Sequence, residues 1–180
     1  IFFDYDIVEE KNVNNQLYSL NHVGMPKTQA MHQILSSFNS AIKAEQFINE
    51  KFDMSKHKRY FSKRTVVYLL VDHNRQALLA DLFKNPNVHY LIETRIGVDV
   101  FDIYKVDRDK KKREIYLESV PTLETELNPR ELSPCGEVMS IVPAINMCGA
   151  LAAQLIRQLN EPISRVYMET YPHIGIFIQN

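Results

Sequence analysis

The chain has 180 residues but only five glycines, and no G-x-G-x-x-G occurs in it. It therefore lacks the strand–loop–helix turn whose bare backbone N–H groups cradle a nucleotide phosphate. It has two cysteines, Cys135 and Cys148, and no C-x-x-C. That argues against a disulfide framework and a structural zinc site, and makes a reducing compartment, the cytoplasm, the expected setting. No apolar run is long enough to span a bilayer, and no secretory leader is visible. The net charge of -1 excludes a global field drawing the protein to nucleic acid or to an anionic membrane. His22, His32, His57, His89 and His173 show no metal-ligand spacing and read as surface or packing residues. No initiator Met stands before Ile1, so a preceding segment is expected.

What is present is the material of one α/β domain over residues 1–180. The chain is 45% hydrophobic and 24% charged, ordinary for a soluble globular protein. Ile1-Phe2-Phe3 is an apolar run that reads as a buried strand ending at Asp4. From Pro26 to about Phe38, Met31, Ile34 and Leu35 recur at helical spacing, and Pro26 suits a first helical turn. Ala41 to Ile48 reads as a strand, and the basic stretch 49–64 as a solvated helix or loop. Thr65 to Val71 is a continuous β-branched and aromatic run, the pattern of a buried parallel strand, and it ends at Asp72.

A helix is expected from about Arg75 to Lys84, stopped by Asn85-Pro86-Asn87. Strands follow at His89–Glu93 and Gly97–Tyr104, then a charged turn over Asp107–Arg113, with Ile115–Leu117 resuming the sheet. Residues 119–136 hold Pro121, Pro129 and Pro134, which excludes a central strand or long helix and predicts an extended crossover. The longest helix is expected from Val138 to about Leu159, with Cys148 packed inside it, and terminal strands at Arg165–Met168 and Ile174–Ile178. The order β, α, β, α, β, α predicts a mostly parallel, Rossmann-like sheet covered by helices, with antiparallel strands toward the C-terminus.

Function is carried by a motif. Asp4-Tyr5-Asp6-Ile7-Val8 is followed by Asn12, by Gln16, and then by Gly24-Met25-Pro26-Lys27. An acid at the C-terminal edge of an α/β sheet is placed to accept hydrogen bonds from ribose hydroxyls. A lysine opening a helix is disfavoured by the helix dipole, so an anionic phosphate is a reason for Lys27 to stand there. Asp72, at another strand tip, is a natural Mg²⁺ ligand beside a triphosphate. The plainer alternatives are two acids in a solvated turn, local turn bonding by Asn12 and Gln16, and a solvated lysine.

The spacing resembles the ThiF/MoeB superfamily, which includes the ubiquitin-activating enzymes. There the pattern runs D-x-D-x-V, Asn, Arg-Gln, then G-x-P-K. The resemblance covers nearly the whole chain and is strongest at 4–27, around 72 and at 135–153. It implies that Asp4 holds ribose, that Asp6, Asn12 and Gln16 shape the nucleotide pocket, that Lys27 meets phosphate, and that Asp72 is catalytic and carries Mg²⁺. Cys135, in the crossover, corresponds to a cysteine that in conjugating relatives attacks the acyl-adenylate or carries sulfur; a loop thiol before a helix N-terminus suits that role. Two departures stand out. The arginine that precedes the glutamine in the family is Asn15 here, and an amide cannot neutralise phosphate. The glycine-rich first unit is absent. Arg75, soon after Asp72, is a candidate to replace the missing arginine.

The resemblance thus implies a dimeric ATP- and Mg²⁺-dependent adenylating enzyme. Its partner is the C-terminal tail of a ubiquitin-like or sulfur-carrier protein, and the apolar helix Val138–Leu159 contributes to a homo- or heterodimer. The alternative is a catalytically inactive, partner-binding subunit, favoured by the two departures. A plain dinucleotide enzyme accounts for neither Lys27 nor Asp72.

Overall fold

The first strand of the computed structural model, β1, is short: Phe2–Phe3, paired in parallel with β2, Phe47–Ile48. The structure describes residues 1–71, 75–96, 100–120, 142–169 and 175–180. They form two compact units, Ile1–Tyr60 and Phe61–Asn180.

In the first unit, β1 leads through α1 (Glu10–Val13) and a 3-10 turn at Leu20–His22 to α2 (Lys27–Phe38). Pro26, with φ fixed near its helical value, sits at the N-cap of α2. Val8, Tyr18 and Ala30 form a small core, joined by Met25, Met31 and Ile34. After β2 come α3 (Met54–His57) and a 3-10 turn at Lys58–Tyr60. Two expectations need correction. The β1 run is not a buried strand, since Ile1 is 61% and Phe2 37% exposed. The Ala41–Ile48 run is strand only at its last two residues, because Ala44–Gln46 closes into a 3-10 turn when Gln46 Oε1 accepts the Lys43 N–H.

The second unit is a five-stranded sheet in the order β3-β4-β5-β6-β7. Its strands are β3 (Thr65–Leu69), β4 (Val88–Ile96), β5 (Val100–Val106), β6 (Arg165–Glu169) and β7 (Gly175–Gln179). β3 and β4 pair in parallel through α4, Arg75–Lys84, and every later pair is antiparallel. The fold is thus mixed α/β, parallel toward the N-terminus and antiparallel toward the C-terminus, as expected.

One sheet face packs against α6, Val142–Arg157, through a core of Ile92, Phe101, Ile103, Cys148, Ala152, Leu155, Val166 and Met168. Period-two alternation along β5 and β6 delivers these residues to one side. Cys148 is packing, as expected: burial pushes its thiol pKa up to about 11, so it is not a thiolate at neutral pH.

The largest departure from expectation is α5, Lys110–Ser119, where a charged turn and a resumed strand were expected. Asp109 caps it, its carboxylate accepting the Lys112 N–H at 2.9 Å. Arg113 and Tyr116, three residues apart, are both buried. Arg113 donates to the carbonyls of Asp107, Phe83 and Val88, so a residue that reads as solvated charge ties α5 to the end of α4 and the start of β4.

Candidate functional site

The first unit brings together three of the residues singled out by sequence, Asp4, Asp6 and Lys27. Asp4 follows β1, its N–H bonded to the Ile48 carbonyl at 3.2 Å. Asp6 then links both ends of the motif. Its N–H donates to Asp4 Oδ1 at 2.9 Å, its carbonyl accepts the Lys27 N–H at 2.8 Å, and its Oδ2 lies 3.0 Å from Lys27 Nζ.

The chain between them is folded back for this purpose. Val8 and Gly24–Met25 exchange backbone hydrogen bonds, and Ile7 bridges Pro26. Gly24 makes the return with φ +86, a conformation that side chains with a Cβ rarely adopt. The glycine and proline of the motif thus serve geometry, and the lysine reaches Asp6 across 21 positions of sequence.

Asp4 is only partly solvated, and burial raises its carboxyl pKa above the usual value, against the lowering effect of the Asp6 N–H and Lys27. The Lys27 side chain is 15% exposed and that of Asp6 50%. A half-desolvated acceptor beside a largely covered ammonium suits a ligand bearing hydroxyls and an anion.

Tyr18, which sequence reasoning passed over, is 7% exposed. Its phenol pKa is pushed up to about 12, by burial first and then by the charges of Asp4 and Asp6. The two acids are thus near enough for their charge to reach its phenol, which stays protonated. Its only sequence signal is an aromatic residue inside the motif interval.

The loop amides divide by role. Asn12 is buried, its Oδ1 accepting the Glu9 N–H at 2.9 Å, and so shapes the loop itself. Gln16 is exposed, with its N–H bonded to the Asn12 carbonyl at 2.8 Å. Asn15 Oδ1, where the resemblance expects an arginine, is buried and has no hydrogen-bond partner among the described residues. A buried acceptor of this kind awaits a donor, the opposite of what a phosphate offers.

In the second unit, Arg75 opens α4. Its Nη2 donates to the Val71 carbonyl at 2.7 Å, and its Nε lies 2.8 Å from Glu93 Oε1. The Glu93 side chain has 0% exposure and is also held by Arg95, whose Nη2 lies 3.1 Å from Oε2. Arg95 donates in turn to the Tyr116 hydroxyl at 3.2 Å and stacks over Tyr104 at 4.7 Å. Sequence reasoning missed Glu93 and Arg95. The available signal was an acid and a base two positions apart, Glu93 and Arg95, which strand alternation puts on one face.

Asp72, Cys135 and the proline-rich crossover lie outside the described residues. Among the described residues no group of three His, Cys, Asp or Glu is arranged to hold a metal ion. No described helix is long and apolar enough to cross a membrane.

No curated protein matches the chain at the sequence level. Solved structures share its fold. Escherichia coli MccB with ATP superposes with a TM-score of 0.68 at 19% identity, covering 99% of this chain and 55% of that one. MccB with MccA-N7isoASN gives 0.68 at 18% identity, covering 99% and 56%. PaaA gives 0.63 at 14% identity, covering 99% and 55%. The chain spans about half the length of these proteins. The ThiF family model matches residues 1–162. With that match spanning most of its length, and with the D-x-D strand tip and G-x-P-K lysine brought together, the chain belongs to the ThiF family.

Proposed function

We propose that residues 1–180 form an adenylating domain, which binds ATP and activates the C-terminal carboxylate of a peptide or small carrier protein. The observation that carries this reading is the Asp4–Asp6–Lys27 arrangement, with its partly desolvated acid and its lysine at a helix start. It is supported by family membership and by a fold shared with an MccB that was crystallised with ATP.

The residues present fit the nucleotide. Asp4 accepts from ribose hydroxyls and Lys27 leaves Asp6 for a phosphate oxygen. Asp6, Asn12 and Gln16 hold the loop, and Tyr18 and Asn15 Oδ1 add a donor and an acceptor. Asp72 is proposed as the Mg²⁺ ligand and the catalytic acid of the family pattern. The ion supplies charge neutralisation for the departing phosphates. Arg75 is proposed as the replacement for the phosphate arginine, and any such contact competes with Glu93 for its guanidinium.

In the reaction, a tail carboxylate oxygen attacks the α-phosphorus, the bond to the bridging oxygen breaks, and pyrophosphate leaves with that oxygen's electron pair. The acyl-adenylate remains. The chain's work is positional and electrostatic. The proposed partner is the tail of a ubiquitin-like or sulfur-carrier protein; the shared fold with an MccB crystallised with MccA-N7isoASN makes a peptide tail the second candidate. Cys135 is proposed as the acceptor of the activated acyl group or of sulfur. A homo- or heterodimer using α6 and a cytoplasmic location complete the reading. Asn15, where the family pattern has an arginine, favours one alternative, an inactive subunit that binds the partner without turnover.

The test is ATP–pyrophosphate exchange by the full chain with candidate tails. Exchange that requires a free tail carboxylate, and stops when the tail is amidated, supports the enzyme. Tail binding without exchange supports the inactive subunit.

A further inference from the structure

His57 is enclosed at the end of α3, 4% exposed, and takes no part in the site described above. Its Nδ1 accepts the Asp53 backbone N–H at 3.0 Å, so the ring proton sits on Nε2, 3.4 Å from Glu50 Oε2. Three aromatic rings close on the imidazole, with centroids at 4.7 Å for Phe3, 5.5 Å for Phe52 and 6.2 Å for Tyr60. Phe3 also meets Phe52 and Tyr60 edge-on, at 5.2 and 5.5 Å.

Phe3 is the last residue of β1, and Asp4 follows it. Successive side chains leave a strand on opposite faces, so the rotation that seats Phe3 in the cage also sets the direction of the Asp4 carboxylate. β1 is only two residues long with an exposed start, and is otherwise held by its pairing with β2, by the Phe2–Phe47 ring contact and by the Asp4 N–H on the Ile48 carbonyl. A purely apolar side chain at position 57 would fill the cage without polar atoms to satisfy. The imidazole instead locks the cage to the Asp53 backbone, at the turn where the Asp53 carboxylate caps α3 by accepting the Ser55 N–H at 2.8 Å.

We propose that His57 is a positioning residue for the nucleotide: it holds Phe3, and through Phe3 the strand tip that presents Asp4 to a ribose. This rests on the reading of Asp4 as the ribose acid. It makes the Phe3–His57 cage a determinant of ribose recognition, separate from phosphate binding by Lys27.

The experiment measures the affinity of the full chain for ATP, for 2′,3′-dideoxy-ATP and for tripolyphosphate, in wild type, Asp4→Ala, His57→Ala and His57→Phe. Asp4→Ala defines the ratio of ATP to dideoxy-ATP affinity without the acid. The expected result is that His57→Ala lowers the wild-type ratio about tenfold, which is about 1.4 kcal/mol. His57→Phe, which keeps the packing but strands the Asp53 N–H, lowers it severalfold. Tripolyphosphate affinity stays unchanged in both. A ratio that survives both His57 variants while Asp4→Ala abolishes it overturns the inference and leaves the proposed function standing. So does a parallel loss of tripolyphosphate affinity, the mark of a merely structural role. A wild type that does not bind ATP, or a ratio indifferent to Asp4, overturns the proposed function and this inference with it. Where neither variant folds, ring ¹⁵N shifts of wild-type His57 decide. Movement on adding ATP but not tripolyphosphate supports the inference, and no movement with ATP overturns it.

Discussion

Arg75 Nε lies 2.8 Å from Oε1 of Glu93, a carboxylate with no exposed side-chain surface. The pair ties the first turn of α4 to the middle of β4, and Arg75 reaches the Val71 carbonyl as well. Breaking a buried ion pair from one side leaves a charge without compensation, at about 3–5 kcal/mol. Here Arg95 stays on Glu93, so Arg75→Ala should destabilise by about 3 kcal/mol, read from urea unfolding midpoints. As the proposed phosphate arginine, Arg75 should also take ATP affinity down at least fivefold, about 1 kcal/mol, when removed. Unchanged ATP affinity in the folded variant would assign the residue to structure alone.

Lys27 and Asp6 make a complementary prediction. At 3.0 Å, with the lysine largely covered, the ammonium is held by Asp6 until a ligand competes for it. Lys27→Met should reduce ATP affinity about tenfold or more, since a charge-assisted contact to phosphate is lost. Asp6→Asn keeps the backbone bonds to Asp4 and Lys27 but releases the ammonium. It should leave ATP affinity equal to or above that of wild type in calorimetric titration. A large loss in Asp6→Asn would mean that its carboxylate itself contacts the nucleotide.

Asp4 ties stability to pH in the unusual direction for a carboxylate. Its folded pKa is raised, chiefly by burial. Between its ordinary value and the raised one, the folded chain holds more protons than the unfolded chain. This residue's contribution to stability therefore falls as pH rises through that window and stays at its lower level at neutral pH. Asp4→Asn keeps an acceptor for the Asp6 N–H without the charge. It should leave the unliganded protein at least as stable as wild type at pH 7 and remove the Asp4 part of the acid-side pH dependence. ATP affinity should fall, because a neutral amide accepts more weakly from ribose hydroxyls. Thermal melts at pH 4–7, with and without ATP, test both halves.

These residues also mark how far sequence carries. Asp4, Asp6, Gly24, Pro26 and Lys27 were legible because their constraints are local: a strand tip, a turn needing positive φ, a helix start. The α4 boundaries, Arg75 and Lys84, were legible from apolar spacing and the Asn-Pro-Asn stop. α5 was not, because six of its residues are charged and its buried side includes Arg113, whose partners are three carbonyls that no periodicity reveals. His57 was read only as surface or packing for the same reason. Its burial is completed by Phe3, far away in sequence, closing over the local rings Phe52 and Tyr60.

The second unit offers a test of such hidden partners. Lys105 lies within β5, on the side that faces α6 and at 9% exposure, where charge is normally excluded. Its Nζ donates to the carbonyls of Gln158, Leu159 and Glu161, just beyond the C-terminus of α6. A helix end leaves carbonyls without partners and carries partial negative charge, so one buried ammonium satisfies both needs. Burial lowers the Lys105 pKa, which the carboxylates of Glu161 and Asp107 oppose. Lys105→Met keeps the bulk and removes the donor from the Leu159 and Glu161 carbonyls, while the Gln158 carbonyl keeps the Glu161 N–H. It should cost about 1–3 kcal/mol and lower the melting temperature by several degrees. Lys110→Met, whose side chain is 91% exposed and whose partner Glu114 lies 3.8 Å away, should change stability by less than about 0.5 kcal/mol. Equal effects at the two positions would show that Lys105 is solvated in solution and that α6 is capped by water.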